Sequence, residues 1–211
     1  MHTQAQNLTG IYGITDDLLT PPSMLLEKVR HALQGGISIL QYRSKTSAKE
    51  AQQLQVEQLL QLCRANGVPL IINDDVNLCR ASGADGVHLG KGDGIVDEAR
   101  TILGDSAIIG VTCHDDIQRA QQAEQAGADY VAFGRFFSSQ TKPEASAADV
   151  SLLAEARERL GVPIVAIGGI NAENGASLIA QGADMLAVIH SLFSGDDIKQ
   201  NAQQLVNLFE E

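Results

Sequence analysis

The sequence predicts a single α/β domain of the (β/α)8 TIM-barrel class, and three observations predict it. A short apolar run at 164–167, led in by Gly161-Val162-Pro163 and stopped by Gly168-Gly169, reads as a parallel strand buried on both faces. The Gly-Val-Pro lead also precedes a strand at 67–74 (GVPLIIND), and a Gly-Ala-Asp phrase opens strands at Gly83, Gly127 and Gly182. Repeats of that kind are βα units, with each glycine at the C′ position of the helix before it. The count along 211 residues is eight strands alternating with eight helices, more than an open flavodoxin-like sheet uses.

In order, 11–15 is the first strand, and an amphipathic helix follows over 23–33, ending at Gly35-Gly36. The second strand, 37–43, puts Ile39, Gln41, Arg43 and, if the chain stays extended, Lys45 on one side. Ser47 is read as the cap of a helix to Ala65. Strand 69–73, a short helix over 76–81 capped by Asp75, and strand 86–89 come next. Asp93 is read as the cap of a helix to Leu103, before strand 107–112. Asp115 or Asp116 caps a helix to Ala126, and strand 130–133 opens the longest loop, 134–147. A helix over 149–160, strand 164–167, a helix over 172–180 capped by Asn171, strand 185–189 and a last helix to Phe209 complete the alternation. The domain is expected to span 1–211, with 1–9 as a loose N-terminal extension.

Composition narrows the function classes. With 26 acidic against 15 basic residues the formal charge is −11, which speaks against nucleic-acid binding by phosphate neutralisation. Cys63, Cys79 and Cys113 are odd in number and lack C-x-x-C spacing, so they read as packed, reduced thiols of a cytoplasmic protein. MHTQAQNLTG has neither the basic start nor the apolar run of a signal peptide. No apolar stretch approaches the ~20 residues of a membrane span. The sequence leaves a homo-oligomer open.

Barrel active sites form at the C-terminal ends of the strands. Those ends carry Thr15; Gln41, Arg43, Lys45; Asn73, Asp74; His88, Asp93; Thr112, His114; Arg135, Thr141, Lys142; Gly168, Gly169; and His190. The opposite ends carry mainly Gly, Ala and Pro. In an acidic chain, convergence of Arg43, Lys45 and Lys142 on one mouth points to an anion such as phosphate or pyrophosphate. Gly168-Gly169 bares backbone N–H groups to the same kind of ligand. Asp74 and Asp93 taken singly read as helix caps; beside the cations, the pair reads as hard oxygen ligands for Mg²⁺. His88, His114 and His190 lack a close metal-binding spacing, so hydrogen-bonded barrel histidines are the expectation. Cys113 and His114, as strand neighbours, point to opposite faces and form no dyad.

The same residues carry a resemblance. YGIT (12–15), QYRSK (41–45), INDD (72–75), GADGVHLGKGD (83–93), IIGVTCH (108–114), GADYVAFGRFFSSQTKP (127–143) and VAIGGI (165–170) resemble the thiamine-phosphate synthase family over about 11–193. The combination of Q-x-R-x-K, N-D-D and a T-K-P loop is the specific part. The resemblance implies joining of a hydroxymethylpyrimidine pyrophosphate to a thiazole phosphate, with release of pyrophosphate. It implies that Gln41 and Asn73 hold the aminopyrimidine, and that Arg43, Lys45, Thr141 and Lys142 hold its pyrophosphate. Asp74 and Asp93 would bind Mg²⁺, and Thr112 would sit near the reacting centre. Gly168, Gly169, Ile189 and His190 would meet the thiazole phosphate, and Ser139 belongs to the substrate-binding loop. The chain departs from the family pattern at Arg135, where Pro is usual, Ser139 (Thr), Lys91 (Gln), Thr112 (Ser) and His190 (Ser).

Other readings stay open on the residues alone. A relative that isomerises the thiazole product would not need the Q-x-R-x-K and T-K-P sets. A metal-dependent sugar-phosphate epimerase would need at least two of the histidines in one site. A catalytically idle phosphate-binding barrel would have no use for both aspartates and all three cations.

Overall fold

Apolar runs of four to seven residues become eight parallel strands that pair in sequence order and close on themselves. The computed structural model describes residues 8–90, 92, 94–138 and 148–210. The strands are β1 (Gly10–Ile14), β2 (Ile39–Tyr42), β3 (Leu70–Asn73), β4 (Gly86–Leu89), β5 (Ile108–His114), β6 (Tyr130–Gly134), β7 (Ile164–Ile167) and β8 (Met185–Val188). The helices are α1 (Leu25–Gln34), α2 (Lys49–Ala65), α3 (Val76–Ser82), α4 (Val96–Leu103), α5 (Ile117–Gln125), α6 (Ser151–Arg159), α7 (Gly175–Ala180), α8 (His190–Phe193) and α9 (Ile198–Val206). Residues 139–147, most of the expected long loop, lie outside the described residues, as does most of the expected N-terminal extension.

Strand alternation sorts side chains into two cores. Leu40, Leu70, Val87, Ile109 and Val131 face outward and pack under the helices. Tyr12, Ile39, Ile71, Ile108, Tyr130, Val165 and Met185 face inward and fill the barrel. All three cysteines are free and buried, and burial pushes each thiol up to about 12.

The Gly-Ala-Asp phrases turn out to be clasps. Each aspartate accepts the backbone N–H at the head of the preceding strand: Leu70 to Asp85 (2.8 Å), Ile109 to Asp129 (2.7 Å) and Ile164 to Asp184 (2.7 Å). Each glycine carbonyl accepts from an arginine one helix back: Arg64 to Gly83, Arg100 to Gly127 and Arg157 to Gly182. Arg100 and Arg157 also pair with Asp129 and Asp184. The clasps stitch strand to strand and helix to helix at the N-terminal face, opposite the C-terminal mouth.

Several local expectations are corrected. Ala48, not Ser47, precedes α2, and it offers no side-chain cap. Ile95 holds the position before α4, so Asp93 is not its cap; Asp93 itself lies outside the described residues. Asn171 closes a turn by accepting the Glu173 and Asn174 N–H groups, and α7 starts later, after Asn174. β5 runs two residues further than expected because a bulge between Thr112 and His114 lets it keep pairing with β6. β8 ends at Val188, and a one-turn helix begins at His190, where strand had been expected to reach residue 189. Asp75 and Asp116 do cap α3 and α5, by accepting the Leu78 and Arg119 N–H groups.

The buried clasp at Asp129 generates a stability prediction. Asp129→Ala leaves the Ile109 N–H without its acceptor and takes the only carboxylate partner among the described residues from the part-buried Arg100, and should cost about 3 kcal/mol in denaturant unfolding. Among the described residues the Asp85 side chain holds only the Leu70 N–H by hydrogen bond, so Asp85→Ala should cost about 1 kcal/mol. Equal losses at the two positions would contradict the ranking.

Candidate active site

Two cavities of similar volume occupy opposite ends of the barrel, so chemistry and not size separates them. The one at the N-terminal face, about 420 Å³, is lined by apolar strand heads together with Arg64 and Asp85, both of which face backbone groups of the clasps. The one at the C-terminal mouth, about 410 Å³, gathers residues from across the barrel. One of its walls is polar, with Tyr12, Gln41, Asn73, His88 and Thr112 from β1 to β5. The facing wall is small and apolar, with Ala132, Val165, Ile167 and Ala187 from β6 to β8. Arg43, His114, Arg135, Gly168, Gly169, Ile189 and His190 ring the opening.

The polar wall is bonded internally. Gln41 Nε2 donates to Tyr12 Oη (2.8 Å), whose oxygen lies 2.8 Å from Tyr130 Oη. Tyr130 Oη is 2.9 Å from His88 Nδ1, and His88 Nε2 is 2.8 Å from Thr112 Oγ1. Burial pushes both phenols well above their ordinary range, so each keeps its proton. The Tyr130 ring stacks on His88 and meets Tyr12 edge-on. It fits only because Gly110 has no side chain, as a Cβ there would overlap the ring. With both ring nitrogens engaged, His88 is a bonded barrel histidine, as its spacing suggested. Among the described residues no cluster of three His, Cys, Asp or Glu side chains could hold a metal.

The first two loops lock each other. Thr15 Oγ1 and the Arg43 backbone exchange hydrogen bonds, and Asp17 accepts from the Ser44 hydroxyl (2.6 Å) and the Lys45 N–H (2.7 Å). Burial would raise the Asp17 pKa, but those bonds and others from Thr46 hold its carboxyl below the ordinary range. Arg43 also faces Asp16 across 3.6 Å. This capture bends the chain after Tyr42, so the extended run that would have aimed Lys45 inward ends early. Lys45 is exposed and is not among the residues lining the mouth cavity.

Asn73 lines the cavity and donates to the carboxylate of Asp74. Asp74 takes a left-handed backbone (φ 63°) with its N–H on the His88 carbonyl, a conformation that costs energy and gathers at functional sites. Arg119 on α5 donates to the carbonyls of Thr112 (2.9 Å) and Gly90 (3.3 Å), tying the β5 bulge to the end of β4. Ser139, Thr141, Lys142 and Asp93 lie outside the described residues. Sequence reasoning missed Tyr12, Tyr130, Asp17 and Arg119. For Tyr130 a signal existed: a tyrosine heading an inward-facing strand position while the neighbouring strand carries Gly110.

Gly168 and Gly169 turn with positive φ (107° and 66°) under the segment after β6. A Cβ on Gly168 would strike Arg135, and one on Gly169 would strike the Ser138 carbonyl. The pair is therefore closely packed as well as conformationally special.

A closed (β/α)8 barrel whose C-terminal mouth holds a half-polar, half-apolar cavity defines the class as barrel enzymes with their chemistry on the strand ends. Residues 11–192 match the family described as thiamine monophosphate synthase. The thiamine-phosphate synthase of Thiobacillus denitrificans is 48% identical over 201 residues, covering 95% of this chain and 94% of that one. The thiamine-phosphate synthase of Nitrosococcus oceani is 49% identical over 198 residues, covering 94% and 91%. The solved structure of the thiamine phosphate pyrophosphorylase of Pyrococcus furiosus superposes with a TM-score of 0.88 at 32% identity, over 97% of each chain. The chain belongs to the thiamine monophosphate synthase family.

Close packing at the glycine pair sets a prediction. Gly169→Ala adds a collision to a left-handed backbone and should cost about 2 kcal/mol, lowering the melting temperature by roughly 4–8 °C. Gly67 has nearly the same φ but open space around its would-be Cβ, so Gly67→Ala should cost about half as much. Matching losses would remove the packing argument.

Proposed function

We propose that this transferase joins a hydroxymethylpyrimidine pyrophosphate to 4-methyl-5-(2-phosphoethyl)thiazole, releasing pyrophosphate and giving thiamine phosphate. The observation that carries the reading is the two-walled cavity: hydrogen-bonding groups on one side of a narrow slot, small apolar side chains on the other. Such a slot suits a flat heteroaromatic ring with polar edges, held by Gln41 and Asn73. The ring of basic and glycine-rich backbone at its opening suits two phosphorylated groups.

In this reading Arg43, at the opening, and Lys45, on the exposed rim, hold the pyrophosphate together with Thr141 and Lys142, and Ser139 belongs to the same loop. Gly168, Gly169, Ile189 and His190 take the thiazole phosphate. The thiazole nitrogen forms a bond to the exocyclic carbon as the carbon–oxygen bond to pyrophosphate breaks, the electron pair leaving with that oxygen. The amino group of the pyrimidine can feed electrons to the carbon, which favours early departure. No strong base is needed, so the chain's work is positioning and charge stabilisation. Thr112 and Arg43 act on the leaving oxygens, while Ala132, Val165 and Ala187 exclude water behind the ring.

The donor set suits Mg²⁺, which takes one or two carboxylates plus phosphate oxygens and water. Asp74, pinned in an unusual backbone conformation at the end of β3, and Asp93 would hold it. When bound, the ion neutralises charge on the pyrophosphate. The three unpaired thiols suit a reducing, cytoplasmic setting.

The test is to supply both phosphorylated heterocycles and Mg²⁺ to the purified protein and measure thiamine phosphate and pyrophosphate in equal amounts. Absence of product from folded protein would overturn the reading. Asp74→Asn tolerates the left-handed backbone but loses the charge, so kcat should fall about 100-fold or more with the fold intact. Undiminished turnover in excess chelator would defeat the metal role.

A further inference from the structure

Five side chains from five strands form one unbroken hydrogen-bonded chain across the barrel: Gln41, Tyr12, Tyr130, His88 and Thr112. Its two ends open on the cavity. Among the described residues no buried side-chain nitrogen or oxygen lacks a partner, and Gln41 Oε1 has none, so that oxygen is left accessible to the cavity. Thr112 is half-buried and lines the same space.

Counting protons gives the chain a direction. Gln41 Nε2 donates to Tyr12 Oη, and in the arrangement that spends each phenol proton within the chain Tyr12 donates to Tyr130 Oη. The Tyr130 proton then goes to His88 Nδ1. A neutral imidazole accepting at Nδ1 carries its proton on Nε2 and donates it to Thr112 Oγ1. The Thr112 proton is left to point into the cavity. If the Gln41 amide turns over, Tyr12 donates to Oε1 and every later bond reverses. Thr112 then donates to His88 and shows the cavity only lone pairs.

We propose that Gln41 and Thr112 are the coupled ends of this directional chain, with Tyr12, Tyr130 and His88 as positioning residues. The amide face that Gln41 turns to a ring in the slot fixes whether Thr112 donates or accepts on the opposite side. The proposal rests on the function proposed above. An exocyclic amine takes Gln41 Oε1, keeps Nε2 on Tyr12 and leaves Thr112 a donor to an anionic leaving oxygen. A ring with a keto oxygen in place of the amine takes the Gln41 NH₂, reverses the chain and removes that donor. Discrimination between amine and keto rings therefore reaches the chemical step as well as binding, because the donor acts where charge develops. Burial holds both phenols protonated, so the chain can reverse its direction but not leak a proton.

The first arm needs no substrate. Nitrogen NMR of histidine-labelled, ligand-free protein at pH 8 should show His88 with its proton on Nε2. A proton on Nδ1, or on both nitrogens, would overturn the assigned direction, whatever reaction the protein catalyses. The second arm compares the aminopyrimidine pyrophosphate with its 4-oxo analogue. In the native protein the analogue's kcat should be lower by about 100-fold or more. Tyr130→Phe keeps the ring but cuts the chain. It should lower kcat for the amine substrate about tenfold, change its KM less than about threefold, and leave the analogue's kcat nearly unchanged, so the amine-to-keto kcat ratio shrinks about tenfold and the remainder is the amine's own electron donation. Tyr12→Phe cuts the chain at another link and should act the same way, which covers a Tyr130 variant that fails to fold. An unchanged ratio in a folded variant would sink the coupling. Failure to form thiamine phosphate at all would instead remove the function proposed above and leave the NMR result standing.

Discussion

Closure of the strand ring rests on one recurring contact, a carboxylate that accepts an N–H at the head of the strand before it. Strands of four or five residues have few ladder bonds, and their ends would fray if the terminal amides were left to water. Asp85, Asp129 and Asp184 remove that weakness at three of the eight strand heads, and an arginine from an earlier helix adds a bond to each phrase's glycine carbonyl. Stability is thus concentrated at the N-terminal face. The opposite mouth is left free to carry residues that would be poor stabilisers, such as the left-handed Asp74 and His114.

Within the barrel the same division recurs at smaller scale. Inward positions near the floor are filled by Ile39, Ile71, Ile108 and Met185, which need no partners. One layer higher, polar groups enter a space with little water, and each must find a bond. The tyrosine–histidine chain meets that demand, and Gly110 makes the room for it. A heteroaromatic ring in the slot would meet hydrogen-bonding groups on one side only, so the barrel orients it before any loop takes part.

Much of this was legible along the chain. The bounds of β4 and β7 follow directly from apolar runs between glycine and polar residues, because burial on both faces leaves a short, unmistakable pattern. Caps at Asp75 and Asp116 were readable because a side chain bonding three residues ahead is a local event. Lys45 and His190 were less so. Each sits just past a strand, where a distant contact or a helix turn decides whether alternation continues. Asp17 catches the chain at Ser44 and Lys45, and a helical turn takes over at His190.

By itself, then, the sequence determined the barrel, the end of it where polar side chains gather and most of the residues gathered there, since periodicity and turn residues act over a few positions. Only the tertiary structure decided which of them touch. Tyr12 and Tyr130 lie 118 residues apart yet share a hydrogen bond, and Gln41 reaches Thr112 only through three other strands. Such contacts depend on strand register around a closed ring, and register is set by all eight pairings together, which no local window of sequence contains.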